Sequence, residues 1–152
     1  MTLTNKSKGF TLIELTVVLL ISVLAVSAIA INISSGNESA QLKADSRALV
    51  SALRYARGQA LITGKQVTVA IDLSDNSYKI SNRKKTYFIA KEIEMTLLIA
   101  ESEFDGDEVG EIRFFADGSS TGGRITMEWG EQLQQIDINW LTAQVKIAND
   151  AE

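Results

Sequence analysis

Gly9, Phe10 and Glu14 have the residue types and the spacing for a specific chemical step near the start of the chain. Cleavage of the peptide bond between Gly9 and Phe10 would leave a free α-amine on Phe10. Glu14 places a carboxylate at an apolar segment, where a charge costs about 2.5–3.5 kcal/mol at the centre of a membrane helix and less near its ends. In an assembly of such chains, the Phe10 amine of one chain can pair with Glu14 of a neighbour and set the axial register. The residues therefore allow an assembly contact between chains, provided that the chain is cut after Gly9.

The apolar run Leu15–Ile33 follows this site and consists mostly of Leu, Val, Ile and Ala. Its polar interruptions are Thr16, Ser22, Ser27 and Asn32. At about 1.5 Å per residue, a helix over residues 10–33 spans roughly 36 Å, which exceeds a hydrocarbon core of about 30 Å. Lys6 and Lys8 precede the run, which predicts a cytoplasmic N-terminus and an external C-terminus. Residues 10–33 are therefore predicted to form a transmembrane and assembly helix.

Two plainer interpretations of the N-terminal segment stay open. One is a signal anchor that is not cleaved, and the other is a secretory signal cut after its apolar core at a small-residue site such as Ala28-Ile29-Ala30. Neither explains a carboxylate at Glu14 or the Gly9-Phe10 pair before the run. Cleavage after Gly9 is favoured, and residues 1–9 are interpreted as a leader that is removed.

The composition excludes several classes of chemistry. The 152-residue chain has no Cys and no His, which excludes disulfides, thiolate metal sites and Ser–His or Cys–His nucleophile pairs. No cofactor or metal is predicted, and the chain is not expected to be an enzyme. The formal net charge is −4, and loss of the basic leader makes the remainder more acidic. General binding to DNA is therefore not expected.

A second helical pattern covers residues 34–64. Its stripe of apolar and small residues comprises Leu42, Ser46, Leu49, Leu53, Ala56 and Ala60, with Val50 and Leu61 widening it. The spacing predicts an amphipathic helix that covers a sheet and ends at Gly64, a residue suited to the position after a helix. The same stripe can instead face a partner helix, and that alternative stays open.

From residue 65 the apolar period changes to two, which is typical of strands. A hairpin is predicted from 67–73 and 78–80, and residues 86–101 are interpreted as one strand with Ile93, Met95, Leu97 and Ile99 on one face. An acidic loop is expected from Glu101 to Gly110. The remaining strands are expected at 111–115, 124–129, 135–140 and 144–147. A long N-terminal helix against antiparallel sheets makes an α+β fold, with a β-rich domain over residues 65–152.

The segment Lys8-Gly9-Phe10-Thr11-Leu12-Ile13-Glu14 resembles the processing site of type IV pilins and type II secretion pseudopilins. In those proteins a prepilin peptidase cuts after the Gly and methylates the new N-terminal Phe, and the Glu directs assembly. The resemblance implies cleavage after Gly9, N-methylation of Phe10 and an assembly role for Glu14.

Two further segments resemble the minor pseudopilin H family, which also includes FimT-type minor pilins. The first is Phe114-Phe115-Ala116 and the glycine loop that follows it, Asp117-Gly118-Ser119-Ser120-Thr121-Gly122-Gly123. The second is Asn139-Trp140-Leu141-Thr142-Ala143-Gln144-Val145, which resembles the C-terminal hairpin of that family. The implied fold is two stacked antiparallel β-sheets on the helix. Ala116 replaces a usual Pro of that family. Ala143-Gln144 replaces Gly-Arg, so the tight turn lacks the Gly that best adopts a positive φ.

The resemblance implies a structural subunit at or near the tip of the periplasmic pseudopilus, which drives export of folded proteins across the outer membrane. Implied partners are other major and minor pseudopilins, prepilin peptidase, inner-membrane lipid and the inner-membrane secretion platform. The implied location is the inner membrane, with a single pass, a cytoplasmic N-terminus and a periplasmic domain. The alternative is a FimT-like minor type IV pilin for pilus biogenesis or DNA uptake. Gln144, in place of the family's Arg, and the acidic balance disfavour that alternative.

Three other clusters have a ligand interpretation beside a structural one. Backbone N–H groups of the glycine loop can bind an anion, Asp105-Gly106-Asp107-Glu108 can hold calcium, and Arg83-Lys84-Lys85 beside Tyr87 can contact phosphate. The loop lacks the Lys and the spacing of a P-loop, and the acidic turn lacks the EF-hand spacing. An ordinary loop or a solvated turn is favoured in each case.

Overall fold

The computed structural model describes residues 10–100, 103–105 and 108–148, without the side chains of 26–36 and 104–105. The chain divides into two units, with the boundary after Asn37. The predicted leader, residues 1–9, lies outside the described residues.

The two predicted helical stretches belong to one helix, α1, which runs from Leu12 to Thr63. At its start, the Thr11 hydroxyl accepts a hydrogen bond from the backbone N–H of Glu14 at 3.3 Å, which satisfies one of the free N–H groups of the first turn. At its end, the Gly64 N–H donates to the Ala60 carbonyl at 3.0 Å, and Gly64 has a φ of 65°. The predicted helix end at Gly64 is confirmed.

The strands that the structure describes form two antiparallel sheets. In chain order they are β1 (Val67–Asp72), β2 (Ser77–Ile80), β3 (Thr86–Phe88), β4 (Glu94–Leu98), β5 (Phe104–Asp105), β6 (Val109–Phe114), β7 (Gly123–Trp129), β8 (Gln132–Ile138) and β9 (Val145–Ala148). One sheet has the order β3-β2-β1-β6-β5, and the other has the order β4-β7-β8-β9. The β1–β2 hairpin and the α+β fold are confirmed.

The core consists of the stripe on α1 and the alternating apolar residues of both sheets. Fully buried members include Leu42, Leu49, Leu53, Val69, Ile71, Ile112, Phe114, Ile125, Met127 and Ile136. Alternation with period two puts these residues on one face of each strand, so both sheets bury that face. Because the stripe is buried within its own domain, the partner-helix alternative for it is not needed. Leu61 is an exception, since it is exposed rather than part of the buried stripe.

The predicted single strand over residues 86–101 is wrong, because the structure divides it between the two sheets. β3 belongs to the first sheet and β4 to the second, with a turn between them. The turn is held by Asn76, whose side-chain amide donates to the carbonyls of Ile93 (2.7 Å), Ala90 (3.3 Å) and Lys91 (3.4 Å). Asp45 of α1 also accepts a hydrogen bond from the Ala90 N–H at 3.1 Å. These partners are distant in sequence, and period-two alternation alone cannot reveal them.

Several strand boundaries also differ from the prediction, most of all those of β6 and β8. β6 begins at Val109 rather than Glu111, and a two-residue strand, β5, pairs with it inside the expected acidic loop. β8 ends at Ile138, so Trp140 lies in a turn and not on the strand that its alternation with Ile136 and Ile138 indicated.

Replacement of Asn76 by Ala is expected to lower the free energy of unfolding by about 2–3 kcal/mol. The loss combines unpaired carbonyls in the β3–β4 turn with the strain of a Cβ residue at the φ of 45° that Asn76 adopts. Asn76→Gly removes the same amide but tolerates the φ, so its loss should be smaller. Urea denaturation of both variants measures the difference, and wild-type stability for Asn76→Ala would contradict the interpretation.

Candidate functional site

The described N-terminal part of α1 exposes large apolar side chains on every side. They are distributed around the helix and are Leu12, Ile13, Leu15, Val17, Val18, Leu19, Leu20, Ile21, Val23 and Leu24. Phe10, two residues before the start of the helix, is 82% exposed. A helix that is apolar all round is covered by lipid or by other helices. This surface of the chain therefore needs lipid or other helices to cover it.

Glu14 lies in the first turn of α1, amid this apolar surface, and its side chain is exposed. The helix N-terminus favours a negative charge at this position. Among the residues that the structure describes, no cation lies within ion-pair distance of the Glu14 carboxylate. The geometry leaves this carboxylate available to a cation from another chain. Gly9, the residue before the predicted cleavage site, lies outside the described residues.

Two polar interruptions of the apolar run, Thr16 and Ser22, form hydrogen bonds within the helix. The hydroxyl of Thr16 donates to the Ile13 carbonyl, and that of Ser22 donates to the Val18 carbonyl, each at 2.8 Å. Because these bonds stay within the helix, the hydroxyls need no water partner.

Over the part of the chain that the structure describes, no helix combines the length and the apolar character that a membrane crossing requires.

The structure brings the glycine loop (Asp117–Gly123) and the predicted C-terminal hairpin together. The Ser120 N–H donates to the Trp140 carbonyl at 2.8 Å, and the Ser120 hydroxyl donates to the Asn139 carbonyl at 3.0 Å. The Gly122 N–H in turn donates to the Ser120 hydroxyl oxygen at 3.1 Å. Ser120 is buried. The loop joins β6 of one sheet to β7 of the other, and Ser120 ties that connection to the β8–β9 turn.

Close packing explains the two glycines that end the loop. Gly122 has a φ of 73°, and a Cβ there would lie 2.9 Å from the Cβ of Trp140. Gly123 has a φ of 144°, and a Cβ there would lie 2.6 Å from Cγ2 of Ile99 and 3.0 Å from the Leu98 carbonyl oxygen. Residues with a side chain rarely adopt these φ values, and neither position has space for one. Both glycines therefore allow neighbouring segments to approach the loop.

The backbone of the loop has little capacity left for an anion. Consecutive N–H groups donate within the protein: Gly118 to the Phe115 carbonyl, Ser119 to the Asp117 carboxylate, Ser120 to the Trp140 carbonyl, Thr121 to the Arg113 carbonyl and Gly122 to the Ser120 hydroxyl. An anion-binding loop needs such groups free and convergent. The arrangement supports the structural interpretation of the loop.

The contribution of Asp117 to the stability of the fold is expected to depend on pH. The hydroxyl and the N–H of Ser119 donate to its carboxylate at 2.6 and 2.9 Å, and they lower the pKa of Asp117 below its ordinary value of 3.8. A carboxyl whose pKa is lower in the folded state stabilises the fold above its unfolded pKa and loses that contribution as pH falls through the folded value. The stability advantage of wild type over Asp117→Asn should therefore disappear in acid. Urea denaturation over a series of pH values from neutral into the acid range tests this, and a pH-independent difference would contradict it.

The β8–β9 turn keeps a tight geometry although Ala143 replaces the family's Gly. Ala143 is buried and has a φ of 50°. The side-chain oxygen of Asn139 accepts hydrogen bonds from the N–H groups of Leu141 and Thr142, each at 2.9 Å, and the Asn139 N–H donates to the Gln144 carbonyl at 3.0 Å. A left-handed conformation costs a residue with a Cβ about 1–2 kcal/mol. The Asn139 bonds hold the turn despite that cost.

Sequence reasoning identified Trp140, Leu141 and Thr142 but missed the groups that surround them. Leu98, from the end of β4, lines the same concave surface as Trp140. Arg124, Asp137 and Lys146 also line it, from three neighbouring strands. Only the pairing of these strands across the sheet brings the residues together, and no local motif marks them.

The basic cluster Arg83-Lys84-Lys85 is partly used in packing on tyrosines. The Arg83 guanidinium lies 3.9 Å from the centre of the Tyr55 ring and donates to the Tyr87 hydroxyl at 2.9 Å. The Lys85 ammonium lies 4.9 Å from the centre of the Tyr87 ring. The contacts with Tyr55 and Tyr87 raise the pKa of Arg83 above its ordinary value. These contacts favour a structural role for the cluster.

The acidic turn 105–108, for which calcium binding was one interpretation, lies largely outside the described residues. Gly106 and Asp107 lie outside the described residues, as do all side-chain positions of the turn except Glu108. Elsewhere in the described ranges, no three His, Asp or Glu side chains converge as ligands for a metal ion.

Comparison with known proteins places the chain among type II transport proteins. Residues 45–142 match the family model for type II transport protein GspH, and residues 4–30 match the model for the prokaryotic N-terminal methylation motif. The type II secretion system protein H of Xanthomonas campestris pv. campestris is 29% identical over 139 residues, which are 91% of this chain and 82% of that protein.

Two solved structures share the fold. The minor pseudopilin EpsH from the type 2 secretion system of Vibrio cholerae matches with a TM-score of 0.59 and 10% identity, over 74% of this chain and 99% of the other. The type IV minor pilin FimU of Pseudomonas aeruginosa matches with a TM-score of 0.56 and 12% identity, over 77% and 92%. At these identities the likeness concerns the pilin-like fold alone. The family match, which spans most of the chain and includes the glycine loop and the turn at Trp140, shows that this chain belongs to the GspH family of type II transport proteins.

Proposed function

We propose that this chain acts as a minor pseudopilin of a type II secretion system, a structural subunit at or near the tip of a periplasmic pseudopilus that exports folded proteins across the outer membrane. The observation that carries the proposal is the apolar N-terminal surface of α1, exposed on all sides and bearing one carboxylate, Glu14. Such a surface suits a subunit that is held first by lipid and then by the helices of its neighbours.

Processing of the N-terminus is part of the proposal. Prepilin peptidase cuts after Gly9 and methylates Phe10, in keeping with the methylation motif over residues 4–30. Residues 10–33 then hold the chain in the inner membrane with a single pass, residues 34–64 continue as the amphipathic part of the helix, and residues 65–152 form the periplasmic β-rich domain. Partners are the major and minor pseudopilins, the peptidase, inner-membrane lipid and the secretion platform.

The intact mass of the chain purified from its host membranes tests the processing step. The expected mass is lower than that of the full chain by residues 1–9 and higher by one methyl group. Cleavage near Ala28 would instead indicate a secretory signal, and an unprocessed mass would indicate a plain anchor. A Gly9→Leu variant is the matched control and should keep the leader.

A gene deletion tests the function itself. Deletion in the host should abolish release of secreted enzymes into the medium and leave DNA uptake normal, and a plasmid copy should restore secretion. The second candidate is a minor type IV pilin, which the likeness to FimU favours at the level of the fold. Lost DNA uptake with normal secretion would overturn the secretion proposal in favour of that candidate.

A further inference from the structure

Three large apolar side chains remain exposed at the end of β4 and in the β8–β9 turn of the four-stranded sheet. Leu98 at the end of β4 is 69% exposed, and Trp140 and Leu141 in the β8–β9 turn are 65% and 61% exposed. Leu98 and Trp140 border a concave space of about 580 Å³. We call these three side chains, with Lys146 beside them, the Trp140 surface. Contiguous exposed apolar side chains with a polar rim are typical of interaction sites.

A row of charged residues forms the polar side of this surface. Arg124, Asp137 and Lys146 are directly opposite one another on β7, β8 and β9. Arg124 donates to both carboxylate oxygens of Asp137, at 2.6 and 3.1 Å, and so compensates its charge. Within the described residues, Lys146 forms no ion pair. The row thus has one uncompensated positive charge, in a chain whose formal net charge is −4.

The glycine loop and the hairpin hold Trp140 in place before any partner arrives. Ser120 binds the carbonyls of Asn139 and Trp140, and Gly122 packs against the Trp140 Cβ position. Asn139 fixes the backbone of the next two residues. A large aromatic side chain on a rigid turn loses little conformational entropy on binding, and Trp is enriched among the residues that dominate interface energies.

We propose that the Trp140 surface binds a neighbouring pilin-like subunit, which places an apolar side chain against Trp140 and Leu98 and a carboxylate against Lys146. The inference rests on the proposed function, since it assumes that the chain joins an assembly. Charge complementarity selects an acidic segment of the neighbour. A nucleic acid is disfavoured, because phosphate binding requires several free cations and the row offers one.

Site-specific photo-crosslinking in the host tests this contact. A photoreactive amino acid replaces Leu141 in the full-length chain, and in a control it replaces Asp75, which is exposed in the β1–β2 turn of the other sheet. The Leu141 probe should form an adduct with one pilin-like subunit, identified by mass spectrometry, in at least fivefold higher yield than the Asp75 probe. Lys146→Glu and Trp140→Ala should each lower that yield at least fivefold, whereas Lys146→Arg should keep it.

Four outcomes would overturn the inference. They are no adduct from the Leu141 probe, equal adducts from both probes, an adduct insensitive to Lys146→Glu, and an adduct that nuclease treatment removes, which would mean nucleic acid. Co-purification of the chain with other pilin-like subunits, measured in the same membranes, distinguishes failure of this contact from failure of the proposed function. Retained co-purification without the Leu141 adduct would overturn this contact alone, and loss of both would overturn the proposed function as well.

Discussion

Replacement of Glu14 by Ala should remove the chain from its assembly while cleavage after Gly9 continues. In the proposed packing, the Phe10 amine of one subunit meets the Glu14 carboxylate of a neighbour among apolar helices. Removing one partner of such a buried pair typically costs about 3–5 kcal/mol, because the remaining charge is left without compensation. At about 1.4 kcal/mol per tenfold change, incorporation should fall by more than about 100-fold. Co-purification with a tagged partner subunit from host membranes measures the loss.

A matched control for Glu14→Ala lies two turns further along the same helix. Ser22→Ala removes a hydroxyl that donates only to the Val18 carbonyl of its own helix, so incorporation should remain at the wild-type level. Glu14→Asp keeps the charge but shortens the side chain, and it should fall between the two. Wild-type incorporation of a processed Glu14→Ala chain would show that this carboxylate does not set the register.

Replacement of Gly123 by Ala should have the largest effect on the stability of the domain, a loss of about 3 kcal/mol. A Cβ at this position would meet Cγ2 of Ile99 at 2.6 Å and the Leu98 carbonyl oxygen at 3.0 Å. Strain at a φ that favours glycine and overpacking each cost about 1–3 kcal/mol. The carbonyl cannot move without disturbing β4, which pairs with β7 through Leu98 and Arg124. Urea denaturation measures the free energy of unfolding.

Gly58 offers the opposite expectation for the same substitution. It lies inside α1, and a Cβ there would meet nothing within 4 Å. Gly58→Ala should raise the free energy of unfolding by about 0.5–1 kcal/mol, because Ala has the better helix propensity. Wild-type stability of Gly123→Ala would contradict the steric account of Gly123, and a loss for Gly58→Ala would contradict the propensity account of Gly58.

The sequence was informative wherever the signal is local. Three patterns have a local signal: the offsets from Gly9 to Glu14, the stripe that ends at Gly64 and the alternation of the first hairpin. Each pattern depends on residues that follow one another within a single helix or a single hairpin. Chain geometry converts such patterns into helix faces and strand faces directly. The helix end, the hairpin and the α+β class are confirmed for that reason.

Tertiary structure decided the features that depend on distant partners. Residues 86–101 look like one strand, yet they are divided between two sheets by hydrogen bonds that Asn76 donates to their carbonyls and that Asp45 accepts from the Ala90 N–H. Ala143 keeps a turn that its side chain disfavours, because Asn139 and the core hold it. Whether a side chain such as Trp140 is buried or exposed depends on which segments pack against it. Those segments are far apart in the chain, so no short stretch of sequence determines the exposure.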